Sequence, residues 1–320
     1  MYHDIDIPLP AFIVIDWVGM SVALIPIILR FWLYFRRPEP RSLTLNISDG
    51  LLLFSWLSGM VFISINTWKN NLRQHYIHSP PSELYYGVPW SLSAHILYVS
   101  WIALFFVYIS LWATKFALIL FFANFLFKIE RKAVKIMLGC ASAYTVATFV
   151  LHMVLLTAWC SPVRKNWDIT GHQCSAVHDI KSVSISTAAN ISTDLVILTI
   201  PLLALFTMNR ERRRLTMRTR MGKEEISGIV FVVCMAALSI VAALVRWITL
   251  FLIRNAPKAN ITHTINVWSL VEIVASLIAV CLPSLRSFVR NRREGSRRKI
   301  GRNDLERREY ISLEDASPGR

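Results

Sequence analysis

Seven stretches of this chain are too long and too apolar to be the buried helices of a water-soluble domain. They run roughly over residues 11–35, 47–68, 93–127, 133–159, 182–207, 226–253 and 261–289. A helix needs about 20 mostly apolar residues to cross ~30 Å of hydrocarbon. In lipid its backbone polar groups have only each other for partners, so such runs must be helical. The expected fold is therefore all-α, a bundle of seven transmembrane helices. The third run exceeds what a bilayer requires, so its helix should tilt or project outward. The remainder is too short for a second domain. Residues 1–289 form one membrane domain, and 290–320, charged and without apolar periodicity, are expected as a basic disordered cytoplasmic tail.

The basic residues fix the direction of threading. The chain carries 35 Lys and Arg and a net charge of +15. Of these, 25 fall at Arg36 to Arg41, Lys128 to Lys135, Arg210 to Lys223 and Arg286 onward, which are alternate connections. The opposite side holds Lys69, Arg73, Arg164, Lys165, Lys181, Arg254 and Lys258. Positive charge collects on the cytoplasmic side, which puts the N-terminus outside and the C-terminus inside. The same distribution argues against a nucleic-acid partner, because the charge is split among loops and drawn to anionic head groups. The lipid bilayer is the expected partner, with the protein multi-pass in a plasma membrane or endomembrane. The first residues, Met1-Tyr2-His3-Asp4-Ile5-Asp6, are acidic where a cleavable leader would be basic. Trp17, Trp68, Trp90, Trp159 and Trp268 cluster near the outer boundary, as interfacial indoles do.

Two outer connections are long, Lys69 to Pro89 and Cys160 to Lys181. Cys140, Cys234 and Cys281 fall inside spans. Cys160 and Cys174 share the second outer loop, in an oxidising compartment where a disulfide persists. Closing that loop contributes ~3 kcal/mol in the chain-entropy account. Between them, Trp167 is placed to cap the mouth of the bundle and Gly171 to permit a turn. Asn260-Ile-Thr262 is a glycosylation sequon close to the seventh helix.

Charges inside the spans call for partners. Lys115, Asp194, Arg246 and Glu272 would each cost a few kcal/mol facing lipid, so they should face the interior. Ser182, Ser186, Asn190 and Asp194 recur every fourth residue, making one polar stripe on the fifth helix. Trp268, Glu272, Ser276 and Ala279 share a face of the seventh, and Trp101, Tyr108, Trp112 and Lys115 a side of the third. By depth, Lys115 matches Asp194 and Arg246 matches Glu272. The two pairs either fix helix packing or, with Asn190 and Trp268, line a polar pocket open to the outside. Pro201 should bend the fifth helix.

No catalytic signature accompanies these residues. The eight His make no di-iron or H-E-x-x-H pattern, and there is no G-x-S-x-G elbow or phosphate loop. No metal site or cofactor is expected, and no catalytic residue is assigned.

Several pieces occur together in a family-like order. These are Asp49 opening the second helix, Lys115 in Thr-Lys-Phe-Ala-Leu-Ile-Leu-Phe-Phe, and the loop Cys160-Ser-Pro162 to Trp167 to Gly171 to Cys174. Asn190-Ile-Ser-Thr-Asp194 to Pro201, Arg246, Trp268 to Glu272 and Cys281-Leu-Pro283 follow. In these the chain resembles the fungal rhodopsin-domain integral membrane proteins of satratoxin-cluster type over about Phe31 to Val289. These are related to the membrane domain of fungal receptors that also carry a Cys-rich outer domain, and no such domain is expected within residues 1–320. Despite that name, residues 261–289 contain no Lys for a retinal Schiff base. The resemblance implies a link to secondary metabolism, and three functions are compatible with it. A receptor or sensor would bind a small hydrophobic ligand from outside. A membrane-embedded enzyme would use Asp194 or Glu272 as an acid, for instance in a cyclisation. A carrier would move a metabolite.

Overall fold

The computed structural model describes residues 9–35, 42–126, 132–170, 174–176, 179–214, 223–252 and 265–281. Among them seven α-helices follow one another: α1 (Leu9–Phe35), α2 (Leu43–His75), α3 (Trp90–Leu126), α4 (Lys132–Ala158), α5 (Ile180–Arg214), α6 (Lys223–Leu252) and α7 (Ile265–Cys281). The first five are each long and apolar enough to cross a membrane. The protein is a multi-pass membrane protein with the all-α fold expected from its sequence. The tail 290–320, Gly171 and the Asn260 sequon lie outside the described residues.

Each helix is built inside out relative to a soluble one. On α1, Asp16, Met20, Ala23, Ile27 and Arg30 recur every three or four residues and are buried. The opposite face exposes Val18, Val22, Ile25, Leu29 and Trp32, which lipid tails solvate. Lipid is as apolar as leucine, so helix association here draws on close fit and interhelical hydrogen bonds instead of water exclusion. The α2–α3 seam shows both. Ser55 Oγ donates to the Ser110 carbonyl at 2.8 Å and Ser110 Oγ returns a bond to the Ser55 carbonyl at 2.9 Å. At Gly59 a Cβ would stand 2.7 Å from Met20 Cε, so the end of that flexible side chain would have to move. The larger core, around Phe62, Leu111, Trp112 and Ile273, joins α1, α2, α3 and α7. A smaller one, around Phe122, Leu138 and Ile200, joins α3, α4 and α5 toward the inner side.

One expected boundary is corrected. Residues 69–75 belong to α2 instead of the first outer loop, and Lys69 and Arg73 are buried, 1% and 3% exposed. Their spacing with Asn66 and Asn70 is helical, but a polar stripe on a buried face lowers local hydropathy and imitates a loop. With both residues removed from the outer loops, the charge asymmetry between the two sides sharpens. Pro201 sits inside α5, which continues to Arg214.

The outer end is roofed by two short structures. A hairpin pairs β1 (Leu84–Tyr85) with β2 (Val88–Pro89) through Tyr86 and Gly87, at φ 58° and 79°. Two successive positive φ values are what a tight two-residue hairpin turn requires. The second outer loop is closed by a disulfide between Cys160 and Cys174, whose Cα atoms stand 5.8 Å apart. Inside it Asn166 Oδ1 accepts a bond from the Ala176 amide at 3.1 Å. Trp167 lies against the rings of Tyr98 and Trp101 at 4.9 and 5.4 Å, so it closes onto the outer end of α3. Asp168 accepts from the Thr170 amide and hydroxyl at 3.0 and 2.6 Å, and these bonds hold its carboxyl below the usual range.

Candidate functional site

The stripe on α5 meets charged residues from three other helices. Lys115 Nζ, on α3, lies 2.8 Å from Asp194 Oδ1 and donates to Asn190 Oδ1 at 2.7 Å and to the Asn190 carbonyl at 3.0 Å. The other end of the Asn190 amide donates from Nδ2 to Glu272 Oε1 on α7. Glu272 Oε2 pairs with Arg246 Nη1 on α6 at 3.1 Å. Ser239, also on α6, donates to Asp194 Oδ2 at 3.2 Å, and Arg246 reaches Ser269 Oγ at 3.5 Å. Two cations and two carboxylates are thus joined by one amide into a single lattice tying α3, α5, α6 and α7.

The joint works because a side-chain amide is bifunctional. Its oxygen suits an ammonium and its NH2 suits a carboxylate, so Asn190 bonds to one member of each ion pair, while Glu272 Oε2 keeps an ionic contact with Arg246 but no hydrogen bond among the described residues. Arg246 and Glu272 are 6% and 1% exposed, and Lys115 5%. Charges this deep persist only when paired and hydrogen-bonded, and removing one strands its neighbour. Lys115 also stands 4.9 Å over the Trp112 ring, a cation–π contact.

Three cavities border this interior. The first, of about 570 Å³, lies toward the outer end and is lined by Tyr108, His152, Ser186, Arg246 and Ser269, among others. Part of its roof is Ala176 of the disulfide-closed loop. A second of about 520 Å³ lies on the inner side, lined by Lys115, Asp194, Pro201, Ser239 and Ser276. The lattice stands between these two. A third, at the outer end, is lined in part by Lys69, Ser100 and Asn166, and it shares Leu104 and Ile265 as a wall with the first.

The structure thus gathers Lys115, Asn190, Asp194, Arg246 and Glu272 at one place. Trp268 does not join them: it is half-buried and lines none of the three cavities. His152 was missed by sequence reasoning. Its two ring nitrogens lie 2.7 and 3.1 Å from the carbonyls of Thr148 and Ser186, and its ring packs on Trp112 and Tyr108. A lone His within an apolar span was the available signal. Also unread was the pairing of Arg30 with Asp49, Nη2 to Oδ1 at 2.7 Å. Asp16, deep in α1 beside Asn66 and Lys69, likewise escaped notice.

Residues 29–291 match the family model of the fungal rhodopsin domain. The chain belongs to that family. The match spans α2 to α7 and therefore every residue of the lattice. No curated protein and no solved structure matches the chain. The family's name raises the question of retinal, whose Schiff base needs a lysine on the seventh helix. In this member of the fungal rhodopsin-domain family α7 carries Glu272 where it meets the interior, and residues 261–289 contain no Lys. Lys115, on α3, has its ammonium committed to Asp194 and Asn190. The residues present do not fit a retinal Schiff base.

Proposed function

We infer that this fungal rhodopsin-domain protein is a receptor or sensor that binds a small, mainly apolar ligand from the outer side. The observation that carries this reading is the continuity between the outer cavity and the lattice. Arg246 lines that cavity and is at the same time bound to Glu272, which is tied through Asn190 to Lys115 and Asp194. A polar group of a ligand reaching Arg246 would compete with Glu272 and bias the whole lattice. A discrete set of ion pairs with two arrangements is the kind of element through which binding free energy moves helices.

An enzyme using Glu272 as a general acid finds less support, because one carboxylate oxygen is engaged by Asn190 and the other by Arg246. A carrier gains support from the inner cavity, which borders the same lattice from the opposite side. Thermal-shift screening of the purified protein against small apolar metabolites, beside Val183→Phe, separates these readings. Val183 lines the outer cavity. Hits that disappear in Val183→Phe and are recovered chemically unchanged support a receptor. Conversion of a hit would establish an enzyme, and its accumulation inside proteoliposomes a carrier.

A further inference from the structure

The third cavity has a feature that the lattice lacks, a buried ammonium that closes no ion pair among the described residues. Lys69 is 1% exposed, and among the described residues its hydrogen-bond acceptor is the hydroxyl of Ser100 at 3.3 Å. Asp16 attracts it from α1 without closing an ion pair. Arg73, one turn further along α2, lines the same cavity and donates from Nε to the Tyr86 carbonyl at 3.1 Å. No Asp or Glu is among the described residues lining it. Gly87 of the hairpin lies beside Arg73, whose side-chain carbons would be in ordinary van der Waals contact, 3.5 Å, with a Cβ there. Asn166 and Ser175, from the disulfide-closed loop, contribute to the outer wall, and the remaining lining is largely apolar.

A fully desolvated ammonium with one hydroxyl in reach among the described residues is unfavourable unless it loses its proton or something else completes its shell. The cavity spans about 590 Å³ when its open mouth is counted, and its enclosed part is far smaller. We propose that this cavity binds a small organic carboxylate, its anionic group against Lys69 and its apolar body against Ile96, Leu97 and Trp101. A monoanion with an apolar body suits one underserved ammonium in an apolar chamber, whereas a dianionic phosphate would need more donors. The site lies across the Leu104–Ile265 wall from the cavity of the receptor reading and does not depend on that reading.

The test uses the full chain in phosphatidylcholine nanodiscs, titrated with naphthoate and with its neutral isostere naphthamide. Tryptophan fluorescence is followed, since Trp101 lines the cavity. Naphthoate should bind at least roughly tenfold more tightly than the amide. Lys69→Met should erase that preference, and Lys181→Met, which removes an exposed cation at the same end, should leave it intact. Should Lys69→Met not fold, Ser100→Leu fills the space beside the retained ammonium and must weaken naphthoate by a similar factor. The preference should persist in Val183→Phe, which blocks only the neighbouring cavity. Equal affinity for acid and amide overturns the proposal, as does a preference unchanged by Lys69→Met or Ser100→Leu. Loss of the preference in Val183→Phe overturns it too, by moving the anion to the other cavity. Displacement of naphthoate by phosphatidylglycerol added to the bilayer would assign the cavity to a lipid head group and also overturn it.

Discussion

At its inner end the bundle buries Arg30 with every guanidinium nitrogen aimed at an acceptor, whereas at its outer end it buries Lys69 with one hydroxyl in reach among the described residues. Arg30 Nε donates to Asp49 at 2.8 Å, Nη1 to the Val280 carbonyl at 2.7 Å, and Nη2 pairs with Asp49 while reaching Ser48 at 3.2 Å. Ser48 passes the tie on to the Ala117 carbonyl at 2.8 Å. Four helices, α1, α2, α3 and α7, are clamped there by one planar cation whose fork matches its acceptors. The outer end has comparable burial and comparable charge but borders a cavity. The difference separates two uses of a buried cation. One is spent on holding helices together, and the other faces a cavity without an ion pair among the described residues. The central lattice lies between these extremes, fully paired yet bordered by cavities on both sides.

Breaking the inner clamp should cost most. Arg30→Met strands Asp49, a loss of about 3–5 kcal/mol by comparison with other broken buried pairs. Its thermal midpoint in detergent should fall well below that of any single change at the outer end, and Arg30→Met with Asp49→Leu should recover part of the loss. A clamp variant no less stable than Lys69→Met would erase the contrast.

The central lattice tests whether pairing and connection are separable. Lys115→Met and Asp194→Asn should each destabilise by about 3 kcal/mol, and the double variant by clearly less than their sum. Arg246 and Glu272 should behave alike. Asn190→Ala should cost roughly 1.5–3 kcal/mol, the scale of hydrogen bonds to charged groups. In that background the coupling between the two pairs should vanish while each pair stays intact. Strict additivity throughout would reduce the lattice to unconnected contacts.

The smallest effect is expected at Lys69. With no ligand present, Lys69→Met replaces an underserved ammonium by an apolar chain of similar length, a change of less than about 1 kcal/mol in unfolding free energy. A loss as large as that of Arg30→Met would mean that the ammonium is structural, and the two ends of the bundle would then be alike.

The transmembrane architecture was legible because its physics is local. Span length, basic loops and interfacial Trp residues each follow from what a bilayer permits along a single helix. The four lattice charges could be named for the same reason, since a charge in a span must face inward, and Asn190 from its place on the polar stripe of the fifth helix. Where hydropathy served as a proxy for burial it failed: Lys69 and Arg73 read as loop because buried polar residues and solvated ones look alike in a one-dimensional profile. Trp268 read as pocket because a helical face specifies direction and not which neighbour it meets.

The sequence by itself therefore determined the helices, their order and the charges that had to be buried. It also determined the two loop cysteines that could join. Tertiary structure alone decided that Asn190 links two ion pairs into one lattice, that Arg30 caps the carbonyl of Val280 250 positions away, and that Lys69 looks into a cavity. The physical reason is that burial of a charge follows from its own helix, while its partner depends on how four helices approach one another. That approach is set by contacts between segments, such as Ser55 with Ser110, which no single segment encodes.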